Sequence, residues 1–220
     1  MSKHLFGIIC THHGTSANNR GETEGNITTL QKILWNGTVH TTVSAEALRW
    51  GLRYFWQQQG LATNRRWQDD LNRHSWEDPE FARGPESFID DDVLGYMSAR
   101  AASEEGNPGE QPTGRRGRAR GTTTARRARL EVSRAVSLTP WAGDVTFNAA
   151  SIGATPSAAM RGDFPVPYGT EVHATRYQYG FALTPEALAM PSRALDVVEA
   201  LTRLAEVAGQ PCPLSLRFLP

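Results

Sequence analysis

Apolar and polar positions change their rhythm several times along the chain, and each change marks an element. Residues 5–11, LFGIICT, form a short apolar, β-branched run that predicts a first strand. It gives way to THHGTSANNRGETEGNIT (11–28), a polar stretch dense in Gly, Asn, Thr and Ser that predicts a loop. TVHTTV (38–43) alternates and predicts a second strand, running directly into SAEALRWGLRYFWQQQG (44–60), where the period lengthens to that of a helix. Ser44 is placed to cap that helix, Glu46 sits in its first turn and Gly60 ends it. Ala45, Leu48, Leu52 and Phe55 make its buried stripe, while Arg49, Arg53 and Trp56 are spaced to form a row on a different face.

Residues 61–102 are polar and acidic and predict an insertion of short helices and loops. Residues 103–127 carry Gly, Pro, Thr and Arg with no means of building a core, which predicts a flexible segment. Order returns with a strand at 128–138. Residues 139–169 then run without clear periodicity, and a stretch of that length in a compact domain is functional or disordered. TEVHATRYQYGFAL (170–183) alternates as a strand with Val172, Ala174, Tyr177 and Tyr179 near its middle, and PSRALDVVEALTRLAEVAG (191–209) is an amphipathic helix closed by Gly209. This order predicts an α+β fold, a sheet with helices on one face, compatible with a ferredoxin-like or RNA-recognition-motif-like architecture.

Composition narrows the class. The 220 residues suffice for one well-cored domain, and no apolar run approaches the roughly 20 residues of a membrane span, so a soluble cytoplasmic protein with no membrane partner is expected. MSKHLFGIIC reads as a mature N-terminus and not as a signal peptide. Cys10 and Cys212 lie far apart outside any C-x-x-C pair and are expected as free thiols without zinc. Formal net charge is zero, but acids crowd 69–110 and arginines crowd 115–134. Only Lys3 and Lys32 are lysines; arginine suits phosphates and stacked bases, although GC-rich coding gives the same bias.

Three chemistries compete. His12 and His13 are adjacent and point to opposite sides of an extended chain, so a metal site would have to recruit His40 and His173. The run Asp90–Asp92 has the clustered carboxylates of a two-metal nuclease, but such a run before an apolar helix is more often a solvated first turn. No G-x-S-x-G, Walker or G-x-G-x-x-G pattern occurs. Nucleic-acid binding draws on more features: Asn18, Asn19, Arg20 and Asn26 in a glycine-spaced loop offer donors to phosphate and 2′-hydroxyl oxygens, and the Arg49/Arg53/Trp56 row adds charge and a stacking surface.

The segments FGIICTHHGTSANNRGETEGNITTLQKILWNGTVHTTVSAEALRWGLRYFWQ, DDDVLGYM, SRAVSLTPWAGDVTFN and EVHATRYQYGFAL together resemble the DevR family, RNA-binding backbone subunits of type I-B CRISPR effector complexes (Cascade). The likeness covers most of residues 4–209. In more distant backbone subunits the helix-opening stretch carries a basic residue, a serine pair, a glutamine and a lysine or arginine; here Ser44, Glu46 and Arg49 stand there, and Glu46 replaces the glutamine. The resemblance implies an RNA-recognition-like palm (1–60 and 128–220), a helical insertion (61–127) and a thumb loop (about 144–169). It implies no catalysis and no cofactor, although type III relatives cut RNA with an aspartate, which keeps a metal-dependent ribonuclease as the alternative.

The partners so implied are guide crRNA, other copies stacked head to tail, other Cascade subunits, and target DNA through the guide. Guide binding must tolerate any spacer, so contacts belong on phosphate and 2′-hydroxyl groups. The expected RNA-contacting set is Asn18, Asn19, Arg20, Asn26, Lys32, His40, Ser44, Arg49, Arg53, Arg134 and Arg176. Complementary copies would also explain zero net charge, with the acidic 69–92 region facing a neighbour's arginines. The tail QPCPLSLRFLP departs from the family, and shifting the reading frame by one nucleotide can give HARFPFDFSP, so a frameshift or truncation near residue 209 is expected.

Overall fold

The structure, a computed structural model, describes residues 3–17, 23–24, 27–68, 70–71, 73–99, 123–150 and 166–204. In chain order the strands are β1 (Leu5–Cys10), β2 (Gly14–Ala17), β3 (Thr23–Glu24), β4 (Ile27–Thr28), β5 (Lys32–Trp35) and β6 (Thr38–Val43), followed by helix α1 (Ala45–Gln58). Next come β7 (Arg65–Gln68), β8 (Arg73–Trp76), helix α2 (Ile89–Leu94), β9 (Tyr96–Ala99), β10 (Thr123–Arg126), β11 (Leu130–Val132) and β12 (Ala135–Ser137). The last are β13 (Val145–Ala150), β14 (Val166–Thr175), β15 (Tyr177–Leu183) and helix α3 (Arg193–Arg203). The chain is mixed α/β, rich in sheet with few helices.

The main sheet runs in the order β1, β15, β12, β6, β5, with β11 also on β15, and every pairing is antiparallel. β5 and β6 turn at Asn36–Gly37, whose positive φ values of 48° and 78° make the two-residue turn that matches strand twist. Alternation assigns the two sides of this sheet. Thr41, Val43, Ala135, Tyr177, Tyr179 and Leu183 point inward, where α1 contributes Leu48, Leu52 and Trp56 and α3 contributes Val197, Ala200 and Leu201. Each such large apolar side chain is worth about 1.5–3 kcal/mol on burial.

The second sheet is ordered β13, β14, β4, β3, with β2 on the far half of β14. It overturns two expectations. The aperiodic stretch 139–169 contains a six-residue strand, and the single strand expected over 170–183 is two: β14 serves the second sheet, β15 the main one, and the chain changes sheets at Arg176. The strand expected over 128–138 is likewise broken, at Ser133 and Arg134, where Gly180 N–H donates to Ser133 Oγ at 2.9 Å.

The expected helical insertion is instead mostly sheet among its described residues. β7 pairs with β8, β9 pairs with β10, and only α2 is helical. Aromatic packing decides this: Trp67 packs edge-on against His74 and against Trp50 of α1, while Gln57 both donates to the Trp67 carbonyl (2.7 Å) and accepts from its N–H (2.8 Å). The flexible segment expected at 103–127 and the altered tail lie largely or wholly outside the described residues; 123–126 are β10.

Candidate nucleic-acid interface

Ten of the eleven expected RNA-contacting residues divide into three groups, and Lys32 stands apart from them. Asn18, Asn19, Arg20 and Asn26 lie outside the described residues. Ser44 caps α1, and Arg49 and Arg53 lie on it, on the helix side of the main sheet. His40, Arg134 and Arg176 share the opposite side, which none of the described helices covers.

The α1 group is built into the fold. Ser44 Oγ accepts the Ala47 N–H at 3.2 Å, the ordinary work of an N-cap. Arg53 is half-buried, its Nε 3.6 Å from Asp90 Oδ2, and burial lowers its pKa against the opposing pull of Asp90. Arg49 is half-buried beside it, its buried Nε without a hydrogen-bond partner. Trp56, expected as a stacking surface in this row, is fully buried and donates Nε1–H to the Asp196 carbonyl at 3.3 Å. Trp56 stands four residues after Leu52 and so continues the buried stripe; a side chain of that apolar area goes to the core, and Phe55 flanks it.

The acidic run is also structural. Asp92 is buried between Arg126 (2.5 Å) and Arg193 (3.0 Å) and accepts the N–H groups of Ala189 and Met190. Asp90 accepts the N–H groups of Asn64 and Arg65. Asp91 accepts from Asn64 Nδ2 at 2.8 Å, and burial, with Asp90 adjacent, raises its pKa to about 7. A solvated first turn was expected, and so were acids at 90–92 facing a neighbour's arginines. The carboxylates are buried and held by groups of the same chain, which removes both ideas for these three residues. Among the described residues no three His, Cys, Asp or Glu side chains gather into a metal cluster, and His12 and His13 are exposed.

Lys32 stands apart from the uncovered face. Its Nζ meets Glu171 at 2.5 Å and lies 4.1 Å from the centre of the Trp141 ring. The His pair proposed as metal recruits is likewise committed. His173 sits in a buried polar joint between the two sheets, its Nδ1 2.7 Å from Thr41 Oγ1 and its Nε2 3.3 Å from Thr139 Oγ1. Thr41 and Ser16 hydroxyls each lie 2.7 Å from Tyr177 OH. Burial lowers the His173 pKa and raises that of Tyr177, so both stay neutral where they hold β2, β6, β14 and β15 together.

On the uncovered face, His40 Nδ1 donates to the Ser137 carbonyl at 2.8 Å, which turns Nε2 toward Thr38 Oγ1 at 3.1 Å. Trp35 packs beside it, ring centres 5.8 Å apart. Arg134 is exposed, held over the sheet by bonds of 3.1 Å from Nη1 to Gln31 Oε1 and Thr42 Oγ1, with the rest of its guanidinium outward. Arg176 is exposed at the switch between sheets, and Leu138 N–H donating to its carbonyl (2.8 Å) carries the β12–β15 ladder to that point. Planar rings and two guanidinium groups on one sheet face, with no carboxylate bonded to them among the described residues, suit phosphate, 2′-hydroxyl and base faces. Sequence reasoning named the three polar residues and missed Trp35, whose signal was its alternation with Ile33 ahead of the Asn36–Gly37 turn.

The family described as "CRISPR-associated negative auto-regulator DevR/Csa2" matches residues 12–207. A relative from Myxococcus xanthus (strain DK1622), "CRISPR-associated protein Cas7/Cst2/DevR", is 54% identical over 214 residues, which cover 95% of this chain and 67% of the relative. Among solved structures, a chain of a "CRISPR RNA-guided surveillance complex, pre-nicking" shares the fold at a TM-score of 0.51 and 10% identity, over 98% of this chain and 76% of that one. The chain belongs to the DevR/Csa2 family of CRISPR-associated proteins.

Proposed function

We propose that the chain is a repeating backbone subunit of a type I CRISPR effector complex, of subtype I-B. It binds guide crRNA through the sugar-phosphate backbone and carries out no catalysis. Copies stack head to tail along the guide, together with other Cascade subunits, and leave the spacer bases free to pair with target DNA. The observation that supports this most, beside family membership, is the sheet face away from the helices, across which Trp35, His40, Arg134 and Arg176 are spread with no carboxylate bonded to them among the described residues. In this reading the main sheet, antiparallel throughout with helices on one side, is the RNA-recognition-type palm, the strand pairs at 65–99 and 123–126 belong to the insertion, and β13 with the first half of β14 forms the base of the thumb.

The test is a salt series with labelled guide-length RNA and the purified chain. Sequence-tolerant binding is expected, with affinity falling as salt rises. Replacing Arg134 and Arg176 by Ala should lower the slope of log affinity against log salt by about 1.4, at roughly 0.7 per single-strand phosphate contact. Arg49→Ala/Arg53→Ala should weaken the fold before it changes the slope. Binding unaffected by the first pair, or cleavage that requires magnesium or manganese, would sink the assignment.

A further inference from the structure

The Arg134 guanidinium is held by neutral groups, and one of them is itself held from the second sheet. Arg134 Nη1 donates to Gln31 Oε1 and to Thr42 Oγ1, each at 3.1 Å, and Thr42 N–H donates to the Gln31 carbonyl at 2.8 Å. Gln31 lies one residue ahead of β5, outside its paired register. Lys32 pairs with Thr41 and shares its inward side, so by alternation Gln31 faces outward with His40. On the inward side, Glu171 of β14 is only 7% exposed, and its Oε2 accepts the Leu30 N–H at 2.7 Å and the Lys32 ammonium at 2.5 Å. One carboxylate oxygen thus fastens the residues before and after Gln31. Leu30 is buried as well, so removing that oxygen strands its N–H away from water.

We infer that Glu171 is a positioning residue for RNA binding: by fixing Leu30 and Lys32 it sets Gln31, and through Gln31 it aims the Arg134 guanidinium outward from the sheet. The inference rests on the guide-binding reading above and adds to it a residue from the second sheet. The arrangement resolves a conflict. A carboxylate bonded directly to Arg134 would orient it but would also compete with phosphate for the same donors. Glu171 works from the far side of the strand, its charge met by Lys32, which in turn lies 4.1 Å from the Trp141 ring centre. The geometry is fixed while the guanidinium charge stays available. Glu171 also stands opposite Val145 of β13, one residue after the Thr170–Thr28 pair. The phosphate grip of the main sheet is therefore set by where β14 stands.

Arginine side-chain NMR and salt-series RNA binding on the full chain test this. The Arg134 guanidinium signal is assigned by its loss in Arg134→Ala. Without RNA its rotation should be slow in wild type and faster in both Glu171→Ala and Gln31→Ala. Each of these variants should also lower the slope of log affinity against log salt by about 0.7, one single-strand phosphate contact, and adding Arg134→Ala to either should lower it no further. Glu171→Gln keeps a carbonyl oxygen for the Leu30 N–H and should restore both readouts. A purely electrostatic effect has the opposite sign, because removing an acid strengthens RNA binding, in Glu171→Gln as much as in Glu171→Ala. Gln31 is exposed, so Gln31→Ala carries the test if Glu171→Ala folds poorly. Unchanged rotation in Gln31→Ala or in folded Glu171→Ala, slope losses that add to that of Arg134→Ala, or a Glu171→Gln protein that behaves as Glu171→Ala would each overturn the inference. The two readings fail separately. Rotation that quickens in a chain that binds no RNA keeps the link from Glu171 to Arg134 and removes the guide assignment. An Arg134-dependent slope that Glu171→Ala and Gln31→Ala leave intact does the opposite.

Discussion

Removing the Asp92 carboxylate should cost the fold more than any other single charge change in the insertion. Two guanidinium groups and two backbone N–H groups converge on it: Arg126 at 2.5 Å, Arg193 at 3.0 Å, Ala189 N at 2.8 Å and Met190 N at 3.2 Å. It thereby ties α2 to β10 and to the approach into α3. Asp92→Ala leaves both arginines largely desolvated beside an empty space, and breaking a buried pair in this way costs about 3–5 kcal/mol. Domains of this kind have about 5–15 kcal/mol in total. For a chain of this length the melting temperature should fall by roughly 6–20 °C, at about 2–4 °C per kcal/mol. Glu199→Ala is the control, because its partner Arg203 is exposed and such pairs are worth under about 0.5 kcal/mol. Urea denaturation and a thermal scan on both variants read the difference. A loss below about 1 kcal/mol for Asp92→Ala would refute the hub. Soluble, melt-normal Asp92→Asn protein that had lost a metal-dependent ribonuclease activity would restore the catalytic alternative.

Other expectations follow from the same geometry. Asp91 has its folded-state pKa raised to about 7, so the native state holds a proton that the unfolded chain releases near pH 4; stability should therefore fall as pH rises from about 4 through 7, and Asp91→Asn should flatten that decline in urea titrations at pH 5 and 8. Gly95 stands at φ +68°, and a Cβ there would lie 2.3 Å from the Arg126 carbonyl oxygen, so Gly95→Ala should strip the β9–β10 pair from α2 and show as lost soluble yield. Trp56→Ala should cost about 3–5 kcal/mol by chemical denaturation, whereas Trp35→Ala should leave the melt nearly unchanged and weaken RNA binding.

What the sequence made legible tracks how local the deciding physics is. Strand β1, strand β6, helix α1 with its Ser44 cap, and the core of helix α3 are each fixed by a period and a terminus within a dozen residues. The hairpins of the insertion were missed because Trp67 becomes a strand residue only when Trp50 and Gln57 of α1 are there to receive it. The break at Arg176 was missed for a related reason: alternation runs unbroken through TEVHATRYQYGFAL, and only the polar side chains His173, Thr175 and Tyr177, facing Thr41, Ser16 and Thr139 from distant segments, mark where one sheet hands over to the other. The candidate site follows the same rule. Charge alone ranked Arg53 with Arg134, yet Arg53 meets a buried carboxylate from the insertion while Arg134, among the described residues, bonds to the neutral Gln31 and Thr42. An arginine is open to an anion when the fold brings it no acid, and that is decided by the pairing of segments that a linear reading treats as separate. The uncovered face is therefore defined less by where the arginines stand in the sequence than by the burial of Asp90–Asp92 elsewhere, which keeps those carboxylates out of competition with any phosphate backbone laid across the sheet.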